Sequence, residues 1–174
     1  GEVVRHLTAT EGGAPKPCHV YAFGPAGSGK THGLMQAARL AGREDVVVVP
    51  FAGMSVGRMF GMPTVSGEWQ KGLMADACES GKVVIADEFD RALPQVAVAL
   101  NAVLENGWYM DGNRQVHVAA TFVMLASGNT DGRGATRAAT SAQPMDAPTL
   151  ARFAFVEWGY SEEHERALVG RYLS

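Results

Sequence analysis

The segment "GPAGSGKT", Gly24 to Thr31, constrains this chain more than any other part of the sequence. It follows the apolar run "HVYAF", which predicts a buried strand, and it opens a stretch whose apolar residues recur at helical spacing. Its glycines let the backbone curl tightly and turn N–H groups inward. Such N–H groups, with the N-terminus of the following helix, bind anionic phosphates. A glycine turn with a purely structural role is the alternative.

The pattern G-x-x-x-x-G-K-[ST] gives the side chains of this loop separate tasks. Lys30 supplies a point charge for the β- and γ-phosphates of a nucleotide, and the Thr31 hydroxyl supplies an oxygen ligand for Mg²⁺. For His32 a packing or exposed role is favoured over a catalytic one. We expect ATP or ADP to be held by the whole segment, which consists of Gly24, Pro25, Ala26, Gly27, Ser28, Gly29, Lys30, Thr31 and His32.

The remaining apolar runs alternate with helical patterns. Buried strands are predicted over 19–24, 46–50, 83–88, 120–129 and 153–160. Helices are predicted over 28–42, 68–81, 93–107 and 161–173, the last capped by Ser161. Strands that alternate with helices and are apolar throughout favour a five-stranded parallel sheet covered on both faces, which is a three-layer α/β fold.

Several segments fall outside this alternation. Residues 1–17 read as a loosely held lead-in to a single domain over 18–174. Residues 51–67 read as a loop or an irregular insert, whose methionines are either an adaptable contact surface or core filler. A β-hairpin is predicted over 108–118 with Asp111-Gly112 at its turn. The small, polar segment 130–149 is long enough to be functional.

The predicted helix over 68–81 places Trp69, Leu73 and Ala77 on one face.

The composition of the chain limits which partners it can bind. A net charge of −3 without a Lys/Arg cluster argues against nucleic acid as a partner, and apolar runs of about ten residues are too short to cross a bilayer. Two cysteines without metal-like spacing favour reduced thiols over a disulfide, and hence a cytoplasmic location.

Two carboxylates close the strand in "VVIADEFD". Asp87 and Glu88 should lie at the carboxyl edge of the sheet, where α/β folds bind ligands. Asp87 is the candidate Mg²⁺ ligand beside Thr31. Glu88 is then free to orient or deprotonate a water molecule in line with the γ-phosphate, which favours hydrolysis. A solvated acidic strand end is the alternative.

Asn129 ends the run "ATFVMLASGN" and is expected beside the acidic pair. Its amide could hold the attacking water or the γ-phosphate. The alternative is an asparagine that turns the chain after the strand.

With these strand ends, the chain resembles the AAA+ ATPases, and most of all their MoxR-like branch, which includes cobalt-chelatase small-subunit-like and CbbQ/NorQ-like proteins. The resemblance rests on "GPAGSGKT", "GKVVIADEFDRA", "ALNAVLENG", "ASGNTDGRGA" and "MDAPTLARFAFVEWGY", and it spans about residues 19 to 165. It implies an AAA+ core that binds ATP or ADP with Mg²⁺. It also implies a homo-oligomeric ring, expected to be a hexamer, that remodels or activates an unidentified partner protein, for example during metal or cofactor insertion.

The resemblance also implies residue roles. Asn129 resembles sensor 1, and Arg152 in "TLARF" resembles the arginine presented to the nucleotide of the neighbouring subunit. Arg133 and Arg137 are weaker candidates for that role, and a surface arginine is the alternative for Arg152. The hairpin resembles the pre-sensor-1 insertion, and residues 54–67 lie where this branch has a helix-2 insert facing the central channel of the ring.

One departure concerns the C-terminal part. The family continues into a helical lid with a sensor 2 arginine, whereas Arg166 and Arg171 fit no sensor 2 pattern, so the lid is expected to be largely absent. Two other functions remain open. One is a nucleotide-gated interaction module that binds ATP or ADP with negligible turnover, and the other is a small-molecule kinase.

Overall fold

A parallel sheet of five strands forms the centre of the computed structural model, which describes residues 1–11, 14–15, 18–137 and 139–160. Its strands, numbered in chain order, are β1 (His19–Phe23), β2 (Val46–Pro50), β3 (Val83–Asp87), β4 (Val123–Gly128) and β5 (Phe153–Glu157). Their order across the sheet is β5–β1–β4–β3–β2, and every pair is parallel. The predicted fold class and strand number are confirmed.

Helices cover both faces of the sheet because its strands are apolar on both sides. The helices are α1 (Glu2–Leu7), α2 (Lys30–Leu40), α3 (Val56–Phe60), α4 (Ala75–Ser80), α5 (Pro94–Asn106) and α6 (Ala147–Leu150). One buried cluster joins the sheet to α1 and α2, and it includes Val3, Leu7, Val20, Leu34, Ala38, Ile85 and Leu125. A second cluster on the opposite face includes Tyr21, Met59, Cys78, Val84, Leu100, Val103 and Met124.

The N-terminal segment is held more firmly than the sequence indicates. Residues 2–7 form α1, which buries Val3 and Leu7 against the cluster that contains Leu34 of α2. Two apolar side chains one turn apart are enough to dock a short helix. Polar residues lie between and beside them, so the helical spacing is not evident in the sequence. The domain boundary at residue 18 stays a prediction.

The segment expected to be an irregular insert contains regular structure. Ser55 caps α3 by accepting a hydrogen bond from the Arg58 N–H at 3.2 Å. Met54 and Met59 are fully buried, whereas Met62 is partly exposed, so two of the three methionines fill the core. A short antiparallel hairpin follows, with strands Gly61–Pro63 and Trp69–Lys71.

The helix predicted over 68–81 is wrong in its first half. Trp69 lies in the second strand of that hairpin, and helix α4 spans only Ala75–Ser80. Gly72 passes so close to the backbone of Met59 that a Cβ atom there would lie 2.3 Å from the Met59 carbonyl group, which fixes the chain in a non-helical path. Leu73 is therefore half exposed, and Ala77 alone of the predicted face is buried.

The β-hairpin predicted over 108–118 is present, with strands Trp108–Asp111 and Arg114–His117. Asp111 pairs with Arg114, so the two-residue turn is Gly112-Asn113 rather than Asp111-Gly112. This hairpin contacts the insert, since the Tyr109 ring stacks on Phe60 with centroids 4.8 Å apart.

The long segment 130–149 contains a bridge between Arg133 and Pro144 and the start of α6. The helix predicted from Ser161, together with Arg166 and Arg171, lies outside the described residues. Within the described residues, no helix has the length and apolar character that crossing a membrane requires.

A partly buried histidine is expected to make the stability of this sheet depend on pH. His19 begins β1, its Nδ1 accepts a hydrogen bond from the Met124 N–H at 3.0 Å, and burial lowers its pKa to about 4. The unfolded chain binds a proton at this position below about pH 6.5, whereas the folded protein does so only near pH 4.

The free energy of unfolding should therefore be highest above pH 6.5 and fall by up to about 1.4 kcal/mol for each pH unit between pH 6.5 and 4. Urea unfolding across this range measures the effect. The His19→Asn variant keeps a hydrogen-bond acceptor but does not titrate, so its curve should be flatter. Parallel curves for the two proteins would contradict the assignment.

Candidate functional site

The glycine-rich segment forms a loop between the end of β1 at Phe23 and the start of α2 at Lys30. Gly27 and Gly29 both have φ of 78°, a left-handed conformation that side chains with a Cβ disfavour. The loop is tied to the sheet where the Gly24 N–H donates to the Gly128 carbonyl at 3.2 Å. The backbone thus turns back over the carboxyl ends of β1 and β4.

Lys30 is the buried cation of this loop. Its ammonium group donates hydrogen bonds to the carbonyl oxygens of Gly24 (2.9 Å) and Pro25 (2.8 Å) and to Oδ1 of Asn129 (3.2 Å). Burial lowers the pKa of Lys30, and the carboxylates of Asp90 and Asp87 act in the opposite direction. Lys30 and Asn129, which the sequence assigns separately to the nucleotide site, are therefore in direct contact.

Thr31 and Asp87 meet across the site. The Thr31 hydroxyl donates to Oδ1 of Asp87 at 2.7 Å. The same carboxylate oxygen accepts a second hydrogen bond from the Ser127 hydroxyl, also at 2.7 Å. Hydroxyl and carboxylate oxygens are the ligands that Mg²⁺ prefers, so Thr31 and Asp87 fit the cation that the sequence predicts. Ser127 was not predicted, although its place at the end of an apolar strand was a signal.

Glu88 has an unusual backbone. It follows β3 with φ of 54°, and no other non-glycine residue among those described has a positive φ. Its carboxylate accepts a hydrogen bond from the Arg91 guanidinium at 2.6 Å, and the side chain is partly exposed. In this arrangement Glu88 contacts Arg91 rather than the Lys30–Asn129 pair.

Asp90 is a buried carboxylate that sequence reasoning missed. Its Oδ2 accepts hydrogen bonds from the backbone N–H groups of Asn129 (2.8 Å) and Thr130 (3.1 Å). Its Oδ1 has no hydrogen-bond partner among the described residues. Asp90 therefore fixes the backbone from which the Asn129 side chain projects, and its place three residues after Asp87 was the available signal.

The candidate trans-acting arginines lie apart from this cluster. Arg152 directly precedes β5, so it lies at the amino edge of the sheet, about 16 Å from the carboxyl edge for a five-residue strand. It forms an ion pair with Glu105 of α5. Arg133 is highly exposed and pairs with Asp131, and Arg137 is also exposed.

His32 lies on the exposed side of α2, where its ring is 3.1 Å from the Gln36 amide nitrogen. The structure therefore brings Lys30, Thr31, Asp87 and Asn129 together. It leaves Glu88 at the border of this group and Arg152 outside it.

Comparisons with solved structures show the same fold. A protein from Cytophaga hutchinsonii that is assigned as an ATPase superposes with a TM-score of 0.69 at 19% identity, over 99% of this chain and 49% of its own. NtrX from Brucella abortus superposes with a TM-score of 0.65 at 16% identity, over 92% of this chain and 35% of its own. The chain thus spans about half and about a third of the lengths of these two proteins.

The sequence comparisons are of two kinds. No curated protein sequence matches this chain significantly. The AAA domain family (dynein-related subfamily), in contrast, matches residues 19–153. This range includes β1, the glycine-rich loop, the acidic strand end and Arg152. The chain therefore belongs to the AAA domain family, dynein-related subfamily.

Proposed function

We propose that this chain is a Mg²⁺-dependent ATPase subunit that hydrolyses ATP within a ring of like subunits and uses the cycle to remodel or activate a partner protein. The observation that carries the proposal is the hydrogen bond between Thr31 and Asp87. This hydrogen bond joins the end of the glycine-rich loop to the acidic strand end, and it supports the proposal because P-loop hydrolysis uses such an arrangement.

The glycine-rich loop accounts for nucleotide binding in this proposal. The N–H groups of residues 27–31 and the ammonium group of Lys30 provide positive potential for the phosphates. The ammonium group of Lys30 donates its three hydrogen bonds to oxygens of Gly24, Pro25 and Asn129. Phosphate oxygens would replace some of these acceptors. Thr31 and Asp87 would hold Mg²⁺, which supplies positive charge against the β- and γ-phosphate oxygens when bound.

Hydrolysis requires an activated water molecule. Glu88 is the general base in this proposal, and it takes a proton from water that attacks the γ-phosphate in line with the leaving oxygen. Asn129 orients that water or the γ-phosphate from a backbone fixed by Asp90. Glu88 must leave its ion pair with Arg91 to reach this position.

In the proposed ring, a neighbouring subunit supplies a further positive charge to the nucleotide. Arg152 lies at the sheet edge opposite its own loop, which suits a residue that acts on the nucleotide of a neighbouring subunit. A cation delivered in trans stabilises the charge on the transferring phosphoryl group. Arg133 and Arg137 are the alternatives for this role, and the hexameric state is part of the proposal.

We assign the chain to the MoxR-like branch within this proposal. The insert and the β-hairpin, which resemble features of this branch, pack together, since Phe60 stacks on Tyr109 and the Trp69 ring lies 3.7 Å from the position of a Cβ atom on Gly112. A partner protein would engage this combined surface. Metal or cofactor insertion is one process that such remodelling would serve.

A nucleotide-gated interaction module is the second candidate. The ion pair between Glu88 and Arg91 favours it, because a base that stays paired would leave ATP bound without turnover. Specific ATPase activity that rises steeply with protein concentration supports the ring enzyme. Tight nucleotide binding with negligible turnover at every concentration supports the module.

The Lys30→Ala variant should lose ATP and ADP affinity by at least about tenfold, because the phosphates lose a charged hydrogen-bond donor. Calorimetric titration measures the loss. Lys82→Ala is the matched control, since Lys82 precedes β3 at the opposite sheet edge and pairs with Asp76. Equal affinity of folded Lys30→Ala and parent proteins would contradict the site.

The Glu88→Gln variant keeps the shape of the side chain but removes the base. ATP should still bind, and turnover should fall by roughly two orders of magnitude or more. A phosphate-release assay measures turnover, with Glu44→Gln, an exposed glutamate between α2 and β2, as the control. Parent-like turnover of Glu88→Gln would rule out its role as base.

The Arg152→Ala variant should bind ATP normally as an isolated subunit and lose ~10³-fold or more in hydrolysis within the assembly. A mixture of Arg152→Ala with Lys30→Ala should recover part of the activity, because some interfaces then pair an intact loop with an intact arginine. Native mass spectrometry must show mixed oligomers in the sample.

The Glu105→Gln variant separates this role from a structural one, because it removes the ion pair but keeps Arg152. It should retain hydrolysis. Full activity of Arg152→Ala alone would refute the assignment and direct the same test to Arg133 and Arg137.

A further inference from the structure

The chain that follows β5 runs along the outer side of the glycine-rich loop, residues 24–29. We call residues 158–160 the aromatic strap. Its first residue extends the sheet, since the Trp158 N–H donates to the Phe23 carbonyl at 2.7 Å. A Cβ atom on Gly24 would lie 1.9 Å from the Trp158 carbonyl oxygen, so the strap occupies the space that the first glycine of the loop leaves open.

Both aromatic side chains of the strap donate hydrogen bonds to loop carbonyls. The Trp158 indole N–H donates to the Ser28 carbonyl at 3.1 Å. The Tyr160 hydroxyl donates to the Ala26 carbonyl at 2.8 Å. The strap therefore holds two alternate peptide units of a loop that contains two left-handed glycines.

These two contacts set the direction of two N–H groups. In a trans peptide unit the C=O and the following N–H point in opposite directions. A carbonyl of Ala26 or Ser28 that faces the strap therefore turns the N–H of Gly27 or Gly29 away from it. Those N–H groups are among the donors that a phosphate-binding loop directs at its anion.

The indole ring is itself fixed by α2. A Cβ atom on Gly33 would lie 2.2 Å from the ring, so the absence of a side chain at position 33 creates the seat for Trp158. The ring also packs against the buried cluster that contains Leu34. Tyr160, in contrast, is 58% exposed, so its hydroxyl can be removed with little effect on packing.

We propose that Trp158 and Tyr160 are positioning residues for nucleotide binding, which hold the N–H groups of Gly27 and Gly29 in the orientation that accepts the phosphates. The inference rests on the proposed function, because it requires that the loop bind a nucleotide. It assigns to the aromatic strap a pre-organising role that the loop motif alone does not contain.

Calorimetric titration of Mg²⁺–ADP tests the inference on the parent, Trp158→Phe, Tyr160→Phe and the double variant. Each hydrogen bond contributes modestly, so each single variant should bind roughly threefold to tenfold more weakly, and the double variant more weakly than either. Tyr109→Phe is the matched control. It loses a tyrosine hydrogen bond of the same 2.8 Å length, to Glu79, and its ADP affinity should equal that of the parent.

Gly33→Ala displaces the indole ring without altering either donor. Alanine favours a helix over glycine, so an effect on ADP affinity cannot come from a weaker helix. We expect weaker ADP binding here also. The amide proton shifts of Gly27 and Gly29 on ADP addition, followed by NMR, provide a readout beyond affinity, and they should be smaller in the double variant than in the parent.

The outcomes separate this inference from the proposed function. A parent protein that binds no ADP contradicts the proposed function, and the inference fails with it. A parent that binds ADP while the double variant binds within twofold of it overturns the role of the strap alone. An equal loss of affinity in Tyr109→Phe would show a general loss of stability and would also overturn that role.

Discussion

The hydrogen bond from Thr31 to Asp87 joins two parts of the chain that are 56 residues apart in sequence. It can form only because β1 and β3 flank β4 in the sheet, which brings their carboxyl ends to one edge about 10 Å apart. Ser127, at the end of β4, lies between them and donates to the same carboxylate oxygen. The order of the strands, rather than any local motif, therefore creates the site.

Asp90 extends this arrangement to Asn129. The 3-10 helix Phe89–Arg91 turns the chain back under the strand ends, so that the buried carboxylate of Asp90 meets the N–H groups after β4. Burial removes water from the Asp90 carboxylate, and hydrogen bonds from the N–H groups of Asn129 and Thr130 replace part of this hydration. Asp90, Asn129 and Lys30 thus form one hydrogen-bonded unit, in which the Asn129 side-chain oxygen accepts a hydrogen bond from the Lys30 ammonium group.

Much of this site could be predicted, because parallel strands end at a common edge and polar residues after apolar runs must lie there. Asp87 and Asn129 follow from that rule, and Thr31 follows from the glycine-rich loop motif. Ser127 and Asp90 lie close to strand ends but were missed. Ser127 lies within β4, and Asp90 lies in the 3-10 helix after β3, and local sequence does not reveal which way either side chain points. The hairpin at Trp69 was missed for a different reason. The close approach of Gly72 to Met59 is a tertiary contact that overrides helical spacing.

The left-handed backbone of Glu88 has a consequence for the evolution and engineering of this protein. A residue with a Cβ pays about 1 kcal/mol to adopt that conformation, whereas glycine adopts it freely. Selection for thermal stability alone would thus disfavour a carboxylate at position 88, and selection for turnover, in the proposed role, would retain it. A consensus of thermostable designs for this fold would therefore replace the residue that is proposed here as the general base.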